Sequence, residues 1–153
     1  MTLLLIHHAE AVSPYEDPQR PLTEAGHQHA LRMAELTKGH GVVPAAIWHS
    51  GKLRGRQTGH AFLEVCAPFA KFTMVKGLSP DDSPSVIQVA LERETQDLAL
   101  VGHWPHLPAL LRLLSPDSAP MPRHGVVALT NDHDGVTWRE LWREPGAAVP
   151  TPV

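Results

Sequence analysis

The chain has 153 residues, enough for one domain with its own core and no need of disulfide or metal staples. Thirteen Lys and Arg against sixteen Asp and Glu give a formal net charge of −3, and the scattered basic residues exclude a concentrated nucleic-acid-binding face. Leu3 to Ile6 is too short for a signal-peptide core and lacks a basic flank, no apolar stretch matches a membrane span, and Cys66 is a lone cysteine, so a cytoplasmic protein with no nucleic-acid or membrane partner is expected.

Residues 2–8 carry a continuous apolar run, which predicts a strand buried on both faces. Pro14, Asp17, Pro18 and Pro21 mark a loop over 9–22. Thr23 is an N-cap for a helix to about Lys38, with Ala25, His29, Arg32 and Met33 at helical spacing and Gly39 and Gly41 as the stop. A strand over 45–49, a helix over 51–66 and a strand over 71–75 follow. Next come a helix over 83–94 capped by Asp82 or Ser83, a buried strand over 97–102 and a helix over 105–114. Residues 125–130 and 136–142 predict a β-hairpin around 131–135, with Val136, Trp138 and Trp142 on one face.

This alternation predicts an α/β fold of three layers: a mainly parallel central sheet, helices on both faces, and a C-terminal β-hairpin. Residues 1–144 are read as one domain, and the Pro-containing tail 145–153 as poorly ordered. Ligands of such sheets bind beyond the C-terminal strand ends. Three predicted strands end in chemistry-bearing residues: His7-His8, His49-Ser50 and Gly102-His103.

Each feature alone has a plain structural reading, as a cap, a solvated side chain or a turn. Together they resemble the histidine phosphatase superfamily, whose hallmark is Arg-His-Gly or Arg-His-Ala ending the first strand. Here that place holds Leu5-Ile6-His7-His8-Ala9-Glu10. The block Ser50-Gly51-Lys52-Leu53-Arg54-Gly55-Arg56-Gln57-Thr58 is similar to Ser-Pro-x-x-Arg-Ala-x-Gln-Thr. Leu100-Val101-Gly102-His103-Trp104-Pro105 is similar to the third block, and Arg20-Pro21-Leu22-Thr23-Glu24-Ala25-Gly26 to the Arg-Pro-Leu-Thr-x-x-Gly segment of short members. The short chain resembles the SixA-type phosphohistidine phosphatase branch.

The resemblance implies a phosphatase with His8 as nucleophile and Arg54 and His103 as ligands of the phosphoryl group. Its partner would be a phosphorylated small molecule or a phosphohistidine protein, with no cofactor and no metal. The chemistry agrees: catalysis of phosphoryl transfer is mostly positioning and electrostatic stabilisation, and an arginine fork grips two phosphate oxygens. His8 must attack through a neutral nitrogen, so its other nitrogen is expected to donate to a nearby carbonyl.

The family arginine before the nucleophile is His7 here, a single donor whose charge depends on pH if it titrates near ~6.5. Arg20, in the loop expected to roof the pocket, is the better substitute cation; Arg56, two residues from Arg54, faces elsewhere. Restoring arginine at position 7 is therefore expected to raise turnover. A catalytically weak phosphate- or phosphopeptide-binding domain is the alternative, as is a small-metabolite phosphatase or mutase. No general acid is evident: Asp81 and Asp82 read as helix-capping residues, and Glu10 as part of a solvated loop. A metal site among the eleven histidines is disfavoured, since His7 and His8 would point to opposite faces of a strand.

Overall fold

The apolar run behind His7 becomes a central strand with side chains buried on both sides. In the computed structural model, which describes residues 1–132 and 136–146, the order is β1 (Thr2–His7), α1 (Glu24–Gly39), β2 (Ala46–His49), α2 (Leu53–Val65) and β3 (Lys71–Met74). It continues with α3 (Pro84–Leu91), β4 (Leu98–Gly102), α4 (His106–Leu114), β5 (Val126–Asn131) and β6 (Trp138–Glu144). The strands form one sheet ordered β3-β2-β4-β1-β5-β6. β1 pairs parallel with β4, β4 with β2 and β2 with β3, while β5 runs antiparallel to β1 and β6 antiparallel to β5. Residues 147–153, most of the expected tail, and 133–135 of the hairpin loop lie outside the described residues.

Alternation along β1 divides the core in two. Leu3 and Leu5 join Ile87 and Leu91 of α3 and Leu107, Leu110 and Leu111 of α4 on one face. Leu4 and Ile6 join Met33 and Ala34 of α1 and Phe62 of α2 on the other. All four β1 side chains are at most 1% exposed, and burial at this level stabilises by roughly 1.5–3 kcal/mol per side chain.

Two local expectations are corrected. The buried stripe of α1 is Gly26, Ala30, Met33, Ala34 and Thr37 rather than Ala25, His29, Arg32 and Met33. Packing against α2 and the sheet chooses the small residues, and His29 is left half-buried for another task. Trp138 and Trp142 do not share a face: Leu129 pairs Glu140 and Ala128 pairs Trp142, so a bulge at Leu141 reverses the alternation. Trp138 therefore packs with Leu3 and Leu5, Trp142 with Leu4 and Ile6, and Val136 is exposed.

The topology sets the site. Parallel β1, β2 and β4 end at one edge of the sheet, carrying His7, His49 and Gly102 there. Antiparallel β5 starts at that edge, with Val126 opposite Ile6, so the residues just before β5 arrive there too.

Candidate active site

β1 ends at His7, and the backbone is pinned on both sides where it leaves the sheet. His7 N–H donates to the Gly125 carbonyl (3.0 Å) and His8 N–H to the Gly102 carbonyl (3.2 Å). Because the strand stops there, alternation no longer separates the two imidazoles. Their ring centroids lie 4.5 Å apart, which corrects the expectation that they face opposite ways.

A cavity of about 240 Å³ opens over this edge, lined by His7, His8, Arg20, Arg54, His103 and His124, with Trp104, Arg123, Ala11 and Glu10 around them. All five residues expected from sequence, His7, His8, Arg20, Arg54 and His103, are brought together. Arg56 is exposed and does not line the cavity, as its spacing from Arg54 required.

The block 50–58 explains itself residue by residue. Ser50 Oγ accepts from Lys52 N–H (3.3 Å) and shares a hydrogen bond with His103 Nε2 (2.6 Å). His103 Nδ1 is buried with no hydrogen-bond partner among the described residues, in a residue that lines the cavity. Arg54 enters from the first turn of α2, its Nε likewise buried with no partner among the described residues. Gln57 Oε1 accepts from Leu22 N–H (2.7 Å), and Thr58 Oγ accepts from Ala9 N–H (3.0 Å) while donating to the Arg54 carbonyl (2.8 Å). One helix thereby ties the roofing loop and the segment after His8 to the arginine. Gly51 stands where the motif this block resembles has Pro, at φ +91, a conformation proline cannot adopt.

His8 Nδ1–H donates to the Ala9 carbonyl (2.7 Å), which fixes the proton there and leaves Nε2 with its lone pair. Burial first, then Arg54, His124 and Arg20, push its pKa down to about 4 against the opposing effect of the Ala9 carbonyl. His103 is pushed down to about 3 by burial, His8 and Arg54. His7 is held far below the ordinary imidazole range by burial and the neighbouring His8. Its Nδ1 accepts from His124 N–H (2.7 Å), so the proton of this neutral ring sits on Nε2. The expectation of a pH-dependent cation at position 7 is thus corrected: His7 is a neutral, single N–H donor.

Charge comes from arginine. Arg20 has φ +51, and its Nε donates to the Val12 carbonyl (3.0 Å), which leaves its two terminal nitrogens for an anion. Its proximity depresses both His8 and Arg54. Arg123 lies over the Trp104 ring at 5.1 Å and disfavours protonation of His7 and His124. Three guanidinium groups against the Glu10 carboxylate make the cavity a site for an anion of more than one charge.

Arg123, His124 and Trp104 escaped the sequence reading. The available signal was the triplet Arg123-His124-Gly125, which repeats the family tripeptide immediately before β5. His124 clamps both histidines at the end of β1, through its N–H to His7 Nδ1 and its Nδ1–H to the His8 carbonyl (2.6 Å). The helix-capping expectation for Asp81 and Asp82 is also corrected. Ser83 caps α3, Asp82 accepts from Ser79 N–H in the preceding turn, and neither aspartate lines the cavity.

His7, His8 and His124 each offer a ring nitrogen within 4.8 Å of the others, a candidate three-histidine cluster. The proton pattern does not suit a metal ion. With His7 Nδ1 occupied by a donor and Nε2 protonated, that ring has no lone pair to give, and two ligands remain.

No family model and no curated protein matches the sequence. Solved structures do. The protein histidine phosphatase SixA in complex with tungstate superposes with a TM-score of 0.83 at 21% identity, over 95% of this chain and 97% of that one. A candidate phosphohistidine phosphatase SixA from Agrobacterium tumefaciens gives 0.74 at 25% identity, over 94% and 96%. Ecdysone phosphate phosphatase from Bombix mori, in complex with tungstate, gives 0.72 at 13%, over 99% and 96%. The chain has the histidine phosphatase fold. Its length and layout match those of the two SixA structures, of which it covers 97% and 96%.

Proposed function

We propose that this chain is a metal-independent phosphatase that transfers the phosphoryl group of a phosphomonoester or phosphohistidine to His8 and then to water. The observation that carries the reading is the His8 Nδ1–H bond to the Ala9 carbonyl, which turns a neutral Nε2 into a cavity already lined with arginines. Nε2 attacks phosphorus, the bond to the leaving group breaks, and the three equatorial oxygens meet the forks of Arg54 and Arg20, His7 Nε2–H and, with the Ser50 hydroxyl donating to its Nε2, His103 Nδ1–H. Water then attacks the phosphohistidine, the P–N bond breaks, and His8 returns to its starting form.

Arg20 supplies the positive charge that the family takes from the position of His7, so full rather than reduced activity is the expectation. No helix among the described residues is long and apolar enough to cross a membrane, and a cytoplasmic location is proposed with that in view. A phosphorylated small molecule or a phosphohistidine protein fits the small, polar cavity. The test is hydrolysis of an aryl phosphate by protein treated with chelator, beside His8→Ala and a titration with tungstate. Turnover that survives chelation, is absent in His8→Ala and is competitively blocked by tungstate is expected. Tungstate binding without turnover would instead make the chain a phosphate-binding domain, and turnover by His8→Ala would end the proposal.

A further inference from the structure

The departing oxygen of an ester needs a proton donor within the cavity. Among the described residues its lining includes one carboxylate, Glu10, and Glu10 Oε1 already accepts from the Thr23 hydroxyl (2.9 Å). His124 faces the same cavity. Its Nδ1–H is committed to the His8 carbonyl, so the tautomer is set and Nε2 is the atom left to exchange a proton. No hydrogen bond from another described residue engages that Nε2. The ring is firmly aimed: stacked on His7 at 4.8 Å and 13°, and edge-on to His8 at 6.0 Å and to His29 at 6.4 Å. The His29 Nε2–H donates to its carbonyl (2.8 Å), and its backbone holds φ +57, a strained conformation for a residue with a side chain.

We propose that His124 is the general acid–base of the site, giving a proton from Nε2 to the departing oxygen and recovering it from the hydrolytic water. The inference rests on His8 being the nucleophile. In the first step His8 Nε2 bonds to phosphorus, the P–O bond breaks with its electron pair on oxygen, and the His124 proton makes that oxygen an alcohol. In the second, water attacks the phosphohistidine, His124 takes its proton, and the P–N bond breaks to regenerate His8. The groups facing His124 are His7 and His8 at the end of β1, His29 of α1, Arg123 beside it and Glu10 across the mouth. Burial above all, with His29 and Arg123, lowers the His124 pKa against the opposing effects of the His8 carbonyl and Glu10, and a bound phosphate dianion favours the protonated ring. The substrate class this adds is phosphomonoesters of aliphatic alcohols, whose alkoxides depart only with a proton.

His124→Asn isolates the role. Asparagine tolerates a positive φ and its amide can take over donation to the His8 carbonyl, but it has no counterpart of Nε2. kcat/KM is measured for both proteins over esters from 4-nitrophenyl phosphate to glycerol phosphate, with phosphoenzyme at His8 followed in parallel. The expected loss is a few-fold for the nitrophenyl ester and about a hundredfold or more for the alkyl ester. A loss of the same factor across the series would make His124 a positioning residue only and overturn the proposal, as would no loss with the alkyl ester. A second measurement needs no variant: wild-type kcat/KM for the alkyl ester falls as pH rises through the His124 titration, while that for the nitrophenyl ester does not follow. Coincident alkaline limbs would overturn it. A His8 phosphoenzyme with uniform losses defeats this inference alone, whereas a wild type with no phosphoenzyme defeats the nucleophile reading and this one together.

Discussion

At the scale of single residues, the site depends on which nitrogen carries each proton. His8 and His7 are neighbours in sequence yet opposite in tautomer, because one ring donates from Nδ1 to a carbonyl and the other accepts at Nδ1 from an amide. Replacing His7 with arginine, which a reading of the sequence favours, now has the opposite expected outcome. His7 is 2% exposed and wedged against His8, Trp104 and His124, so an arginine would leave His124 N–H without its acceptor and crowd three rings. An unpaired buried N–H costs on the order of 1–3 kcal/mol. His7→Arg is expected to melt earlier and to turn over an aryl phosphate more slowly; a gain in kcat/KM would show that Arg20 does not fill the gap. Arg54→Lys removes a two-pronged donor while keeping the charge. A fall in kcat/KM of roughly a hundredfold, about 2.7 kcal/mol, is expected. A loss below about threefold would mean that Arg54 does not grip the phosphoryl oxygens.

The elements respond to substitution according to what lies beside them. A Cβ at Gly26, in the first turn of α1, would collide with the Glu10 carbonyl oxygen, a backbone atom that cannot swing aside. At Gly55 in α2 the nearest atom is His103 Nε2 at 3.4 Å, an ordinary contact. Gly26→Ala is therefore expected to lower stability by about 1–3 kcal/mol, and Gly55→Ala to raise it by up to about 1 kcal/mol through helix propensity. Thermal melts of the two variants check both signs, and a stabilised Gly26→Ala would contradict the packing described. Element order, the cap at Thr23 and the sheet's parallel core were legible because apolar runs and turn residues report local structure directly. The face of α1 and the bulge at Leu141 were not, since each is decided by a partner surface that one strand or helix does not reveal.

For the whole molecule, the same buried histidines couple the site to stability. Folded, His8 and His103 protonate only near pH 4 and 3, whereas in the unfolded chain they take up protons near ~6.5. Their pKa values are depressed by folding, so stability is greatest above ~6.5 and is lost as pH falls toward those lower values. Each contributes a loss on the order of 2 kcal/mol between neutrality and pH 5, with His7 adding in the same direction. Urea titrations from pH 7.5 to 5 are expected to show the midpoint falling steadily; a flat profile would mean that these rings are not held neutral.

Topology also explains the limit of what the sequence disclosed about the site. His8, Arg54 and His103 were visible at strand ends and helix starts, but Arg123 and His124 reach the cavity only because β5 runs antiparallel beside β1. That pairing joins positions more than a hundred residues apart. The central claim concerns the fate of the phosphoryl group, and rapid quenching of the protein with an aryl phosphate, followed by peptide mass spectrometry, tests it most directly. The account predicts a transient phosphoryl group on Nε2 of His8, formed in the presence of chelator and absent from His8→Ala. Turnover with no phosphoenzyme, or a phosphoryl group trapped on another residue, would contradict it.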